Sequence, residues 1–305
     1  MTIWRDYVEG RSSHTVVGNV KMQEGIYSPQ LGNRRPLYVY LPPSYTASDR
    51  RYPVIYMQDG QNLFDAPLSF AGEWQVDETM EALSLEGIEA IVVGIPNAGI
   101  HRIDEYSPFK DKRLRKGGRG DWYVAFVANT VKPLIDRDFR TLPDREHTGI
   151  FGSSMGGLIS LYAFFYRPEV FGFAGVMSPS FWFAQEAIFP YVQQATAMPG
   201  KIYLDTGTHE GSDTRADRAS PHKYTNLYLS AIRRMRDMLD QKGYRLGQQL
   251  RYEEEENGLH HETAWARRLP DALRFLLARQ RRPAPAAEFP LVSDRHIQPE
   301  PWWEF

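Results

Sequence analysis

His147-Thr148-Gly149-Ile150-Phe151-Gly152-Ser153-Ser154-Met155-Gly156-Gly157 decides the fold. An apolar, β-branched run enters a glycine-rich bend, and Leu158 onward carries the pattern of a packed helix. Gly152-Ser153-Ser154-Met155-Gly156 has the form G-x-S-x-G. A serine at such a strand-to-helix corner needs positive φ and unhindered neighbours two positions away on either side. Ser154 has glycine at both positions; Ser153 does not. The following helix would turn its N-terminal N–H groups and its dipole toward Ser154, an arrangement suited to developing negative charge. The plain alternative is a Gly-Ser turn capping an ordinary helix, and the strand–turn–helix context speaks against it.

Working outward, the same rhythm recurs. Strands are expected at 36–41, 52–57, 90–95, 147–151, 174–177, 201–205 and 249–253, and helices at 122–137, 158–166, 224–242 and 264–278. Short apolar runs alternating with helical periods imply an α/β class, a mostly parallel central sheet with helices on both faces. The domain is expected to cover 1–279, with an aromatic-rich segment at 178–200 as a small cap. Residues 280–305 turn to Arg, Pro and Ala and end Pro-Trp-Trp-Glu-Phe. Docking of that tail on its own domain, docking on a second copy to give a homo-oligomer, and a disordered tail are all left open.

Composition narrows the function classes. The 305 residues are 42% hydrophobic and 24% charged with a net charge of −2, which fits a sizeable core and gives no reason to expect a nucleic-acid or membrane partner. The longest apolar run falls short of the ~20 residues of a membrane span. The first ten residues lack a secretion-signal core, so a cytoplasmic location is expected. There is no cysteine, which excludes thiolate nucleophiles, disulfides and Cys-held metals. The basic stretch Lys110–Arg119 reads as a solvated loop or as a seat for an anionic group.

In an α/β-hydrolase fold the partners of Ser154 follow it in the order acid, then histidine. His209, His222, His260, His261 and the tail residue His296 qualify by position. His260 follows the strand at 249–253 and the Asn257-Gly258 turn and precedes the last helix, where a loop can carry imidazole to a serine. His261-Glu262-Thr263-Ala264-Trp265 begins like H-E-x-x-H but lacks the second histidine, so no metal is expected. The acid is sought after the strand at 201–205, with Glu210 favoured and Asp205 second. Two backbone N–H groups should serve an oxyanion, one from Met155 and one from Gln61, where Gly60 permits a sharp turn. An ordinary type I or II turn is the other reading of Gln58–Asn62.

Together these residues resemble the esterase family that includes feruloyl esterases, enterochelin esterases, S-formylglutathione hydrolases and mycolyltransferases. Four patterns between Arg35 and Leu277 carry the likeness: Asp59-Gly60-Gln61 with Trp74 beyond it, Gly152–Gly157, Asp205-Thr206-Gly207-Thr208-His209-Glu210, and His260 five residues before Trp265. The resemblance implies a cofactor-free carboxylic ester hydrolase acting on a small-molecule ester. It assigns Ser154, His260 and Glu210 as the triad, with Glu where feruloyl esterases usually have Asp, and Gln61 as the family's donor. It also points to Ser178-Pro179-Ser180-Phe181-Trp182, making Trp74, Phe181 and Trp182 candidate pocket walls, with core packing the alternative. An acyltransferase to an alcohol, or a non-catalytic binding protein on the same scaffold, are the rival functions.

Overall fold

The computed structural model describes residues 4–210 and 221–278, the side chains of 221–226 excepted. The strands are β1 (Arg5–Asp6), β2 (Asn19–Ser28), β3 (Asn33–Leu41), β4 (Val54–Gln58), β5 (Ile91–Ile95), β6 (Lys110–Asp111), β7 (Lys116–Gly117), β8 (Thr148–Ser153), β9 (Phe173–Met177), β10 (Lys201–Gly207) and β11 (Leu250–Glu255). Nine of them form one sheet in the order β1-β2-β3-β5-β4-β8-β9-β10-β11. The β1–β2, β2–β3 and β3–β5 pairings are antiparallel, and every pairing from β5 onward is parallel. The β6–β7 pair makes a separate hairpin.

Period-two side-chain alternation explains why both faces need cover. On β4, Val54 and Tyr56 enter one buried cluster, while Ile55 and Met57 enter the other. The first cluster is closed by α3 (Gly120–Phe126), α4 (Lys132–Asp138), α5 (Met155–Tyr166), α7 (Ile188–Gln194) and α8 (Pro221–Gln241); the second by α1 (Val76–Ser84) and α9 (Glu262–Leu277). α2 (Arg102–Glu105) and α6 (Phe183–Glu186) are single turns. These are the sheet and helices of an α/β-hydrolase fold, as the sequence pattern implies.

The helix expected over 122–137 is three pieces, α3, a π-helical turn at Val127–Val131, and α4. In the 178–200 segment Phe183, Ile188, Phe189 and Val192 are buried in the first cluster, so α6 and α7 lie against the sheet's own core. The 280–305 tail, and any assembly through it, lies outside the described residues. No described helix is long and apolar enough to cross a membrane.

Candidate active site

β8 ends at Ser153 and α5 begins at Met155, which leaves Ser154 alone at the corner with φ 58° and ψ −123°. It is the one residue between Thr148 and Phe165 that is not buried. The glycines are there for close packing. A Cβ on Gly152 would come within 2.6 Å of Gln58 Cγ and 2.8 Å of the Gly156 backbone. The Ser154 N–H is shared between the carbonyls of Met177 (3.0 Å) and Ser178 (3.1 Å), so the end of β9 anchors the turn.

The acid and the imidazole reach the same sheet edge because β10 and β11 run parallel to β8 and β9. Gly207 and Gly258 touch so closely that a Cβ on Gly207 would meet the Gly258 carbonyl at 2.1 Å. His209 N–H donates to that carbonyl at 2.9 Å, fastening the loop that precedes His260 to the end of β10. Glu210 Oε2 thus lies 2.5 Å from His260 Nδ1. The Glu210 side chain is 1% exposed and that of His260 25%. Burial pushes the Glu210 carboxyl up, but hydrogen bonds from His260, Ser178 and Gly207 outweigh it and hold the group below its ordinary value. Tyr228 and Trp265 meet the imidazole edge-on, with ring centroids 5.7 and 5.0 Å away.

Asp205, the second candidate for the acid, has other partners. It is fully buried, accepts the Ser178 N–H at 3.0 Å and sits 3.0 Å from Arg268 Nε. Burial raises its pKa to about 7 against the opposing pull of Arg268. His261 accepts from the Thr263 N–H at 3.2 Å and so caps α9, and His209 meets Thr208 Oγ1 at 3.3 Å. The His222 side chain and His296 lie outside the described residues.

Ser154 Oγ hydrogen-bonds Ser180 Oγ at 3.1 Å and makes no hydrogen bond to His260. Such bonds are often long or misaligned in a resting enzyme and close only on the substrate. Gln61 sits in a 3-10 turn at Gly60–Asn62, entered through Asp59 at φ 53°. Asp59 accepts from Arg102 Nε and Nη2 at 2.7 Å each and from Asn97 Nδ2 at 2.7 Å, and Gln61 Oε1 accepts the Asn97 N–H at 3.2 Å. The loop is thereby fixed, and the N–H groups of Gln61 and Met155 have no acceptor among the described residues.

The aromatic residues divide. Trp74 is 3% exposed and packs on Phe151 and Trp265; Phe181 is wholly buried against Phe189. Both serve the core, because an indole or phenyl beneath a sheet edge is worth more in packing than in solvent. Trp74 and Phe181 thus show the packing of the core alternative, and Trp182 is the exposed ring of the three at 46%. In the basic loop, Lys116 Nζ lies 3.6 Å from Asp104 and Arg119 donates to the Leu31 carbonyl at 3.0 Å. Away from the serine, Glu73, Asp77 and Glu78 bring carboxylate oxygens within 4.8 Å of one another at the start of α1. Asp77 accepts the Val17 and Gly18 N–H groups, and Thr15 donates to Glu73, so these acids fasten the N-terminal segment.

The family described as "Putative esterase" matches residues 28–276. Uncharacterized protein YbbA of Bacillus subtilis is 27% identical over 265 residues, 85% of this chain and 99% of its own. Ferri-bacillibactin esterase BesA of the same organism is 28% identical over 162 residues, 45% of this chain and 51% of its own. Among solved structures, the BES protein from Bacillus cereus superposes with a TM-score of 0.66 at 20% identity, over 87% of this chain and 97% of its own. The siderophore hydrolase EstA from Aspergillus nidulans gives 0.65 at 19%, over 83% and 95%. This chain belongs to that esterase family and is a carboxylic ester hydrolase of the α/β-hydrolase fold.

Proposed function

We propose that the chain hydrolyses a small-molecule carboxylic ester in two steps through an acyl-enzyme on Ser154. His260 takes the serine proton as Ser154 Oγ attacks the acyl carbon, and Glu210 holds the imidazole in the tautomer that leaves Nε2 free to accept it. The N–H groups of Gln61 and Met155 receive the charge on the tetrahedral oxygen. The alcohol departs with the proton from His260. Water, deprotonated by the same imidazole, then releases the acid. The residues need no cofactor for this sequence, and the domain that performs it spans 1–279.

The observation that carries this reading is the 2.5 Å contact of a buried carboxylate with an imidazole, on the same sheet as the half-buried Ser154 corner. Relatives named as siderophore and feruloyl esterases support an ester of a bulky acid, with Trp182, an exposed ring two residues after the Ser180 that bonds Ser154, as its candidate contact. A fluorophosphonate probe tests the reading before any natural substrate is known. Label on the peptide containing Ser154, and loss of both label and ester turnover in Ser154→Ala, are expected. Turnover retained by the purified variant would refute it.

A further inference from the structure

Ser178 lies where β9 gives way to the Pro179–Trp182 segment, fully buried and with φ at 39°. A serine hydroxyl has one proton to give and two lone pairs to offer. Here both lone pairs are taken, by Trp265 Nε1 at 2.9 Å and Arg268 Nη2 at 2.8 Å. Neither donor can accept in return. The hydroxyl proton is therefore left with Glu210 Oε1, 2.5 Å away. With the Gly207 N–H also on Oε1 at 2.5 Å, that oxygen is fully engaged and Oε2 faces His260.

The backbone of the same residue reaches the nucleophile. The Ser178 carbonyl accepts the Ser154 N–H at 3.1 Å and also the Tyr228 hydroxyl, while its N–H goes to Asp205 Oδ1 at 3.0 Å. Arg268 closes the ring, donating to the Ser178 hydroxyl and lying 3.0 Å from Asp205 and 3.9 Å from Glu210. A left-handed conformation at a non-glycine residue costs energy and persists only where its surroundings demand it. At Ser178 it lets a carbonyl serve the elbow while a hydroxyl serves the acid.

We propose that Ser178 is a positioning residue of this esterase, whose hydroxyl directs the Glu210 carboxylate at His260 while its carbonyl fixes the Ser154 turn. The inference rests on the Ser154–His260–Glu210 reading above. Without the hydroxyl, the Trp265 and Arg268 donors would turn to the carboxylate itself. Arg268 would then draw Glu210 away from the imidazole, because a full positive charge competes better than a neutral ring N–H.

The test compares Ser178→Ala with Ser178→Gly, glycine being at ease at this φ. For folded variants, kcat for an activated ester is expected to fall ~10–100-fold, the loss of one hydrogen bond to a charged group. KM should stay within about twofold of wild type, because Ser178 is buried away from substrate. A downfield proton NMR resonance from His260 Nδ1–H is expected in wild type and should disappear or broaden in both variants. A folded variant with wild-type kcat and that resonance intact would overturn the proposal, as would a change confined to KM. Failure of both variants to fold would overturn it equally, by making Ser178 purely structural. Ser154→Ala separates the two levels: turnover surviving there sinks the esterase mechanism. A dead Ser154→Ala beside normal Ser178 variants sinks only the positioning role.

Discussion

Replacing Glu210 by glutamine keeps the size of the side chain and removes its charge. The new amide oxygen can still accept from Ser178 and Gly207, so the fold should survive with a loss of ~1–3 kcal/mol. The NH2 group then faces His260 Nδ1, where the carboxylate oxygen stood at 2.5 Å. An amide nitrogen can only donate, so Nδ1 becomes the acceptor and the imidazole proton moves to Nε2, the atom that takes the serine proton in the proposed mechanism. In a serine triad the wrong tautomer costs ~10,000-fold in kcat, about 5 kcal/mol of barrier. The assay is hydrolysis of an activated ester with parallel fluorophosphonate labelling, and both should slow together. The ionised acid also has a stability signature. Because the folded Glu210 pKa lies below the ordinary 4.5, its contribution is present above 4.5 and lost as pH falls through the folded value. Glu210→Gln should flatten that part of the acid-unfolding curve. A folded variant within tenfold of wild-type kcat would refute the assignment of the acid.

Three further outcomes follow from other parts of the structure. A Cβ at Gly60 would lie 2.5 Å from the backbone of Gly94 and Ile95, so Gly60→Ala should destabilise by ~1–3 kcal/mol in urea unfolding and misplace the Gln61 N–H. Burial, then the neighbouring Asp77, pushes Glu78 up to about 8. Its stabilisation is complete below the ordinary 4.5 and is lost as pH rises through about 8, so Glu78→Gln should melt with less loss than wild type between pH 6 and 9; parallel losses would count against this. Trp182→Ala should leave stability within ~0.5 kcal/mol while raising KM for a bulky aromatic ester more than for an acetyl ester; equal effects on the two would exclude the ring from the pocket.

Readable from the sequence were those features that short-range physics enforces. The Gly152–Gly157 corner, the parallel strands and the His260 loop all declare themselves through glycine spacing and apolar runs. The antiparallel entry was not legible. β2 alternates buried and exposed positions, but a register shift between Gln23 and Ile26 breaks the period, and polar side chains dominate its open face. The π-helical turn at Val127–Val131 also left no signal, since apolar residues four apart such as Val127 and Val131 equally fit an α-helical period. Glu210 and Asp205 could not be separated by spacing, because both lie near the end of β10; only the closeness of Gly207 to Gly258 decides which carboxylate meets the imidazole. Ser178, Tyr228 and Arg268 were missed as site residues for a like reason. They act through side-chain bonds between elements far apart in the chain, although Arg268, three residues after Trp265 on one face of α9, is a cation of the kind buried acids require.

Ser154 is held at φ 58° and ψ −123°, which residues other than glycine avoid at a cost of ~1–3 kcal/mol. Under the proposed mechanism, heat tolerance and turnover therefore pull in opposite directions at this one codon. A library screened for survival at high temperature alone should accumulate glycine at position 154, and the most durable members would be those that no longer cut an ester.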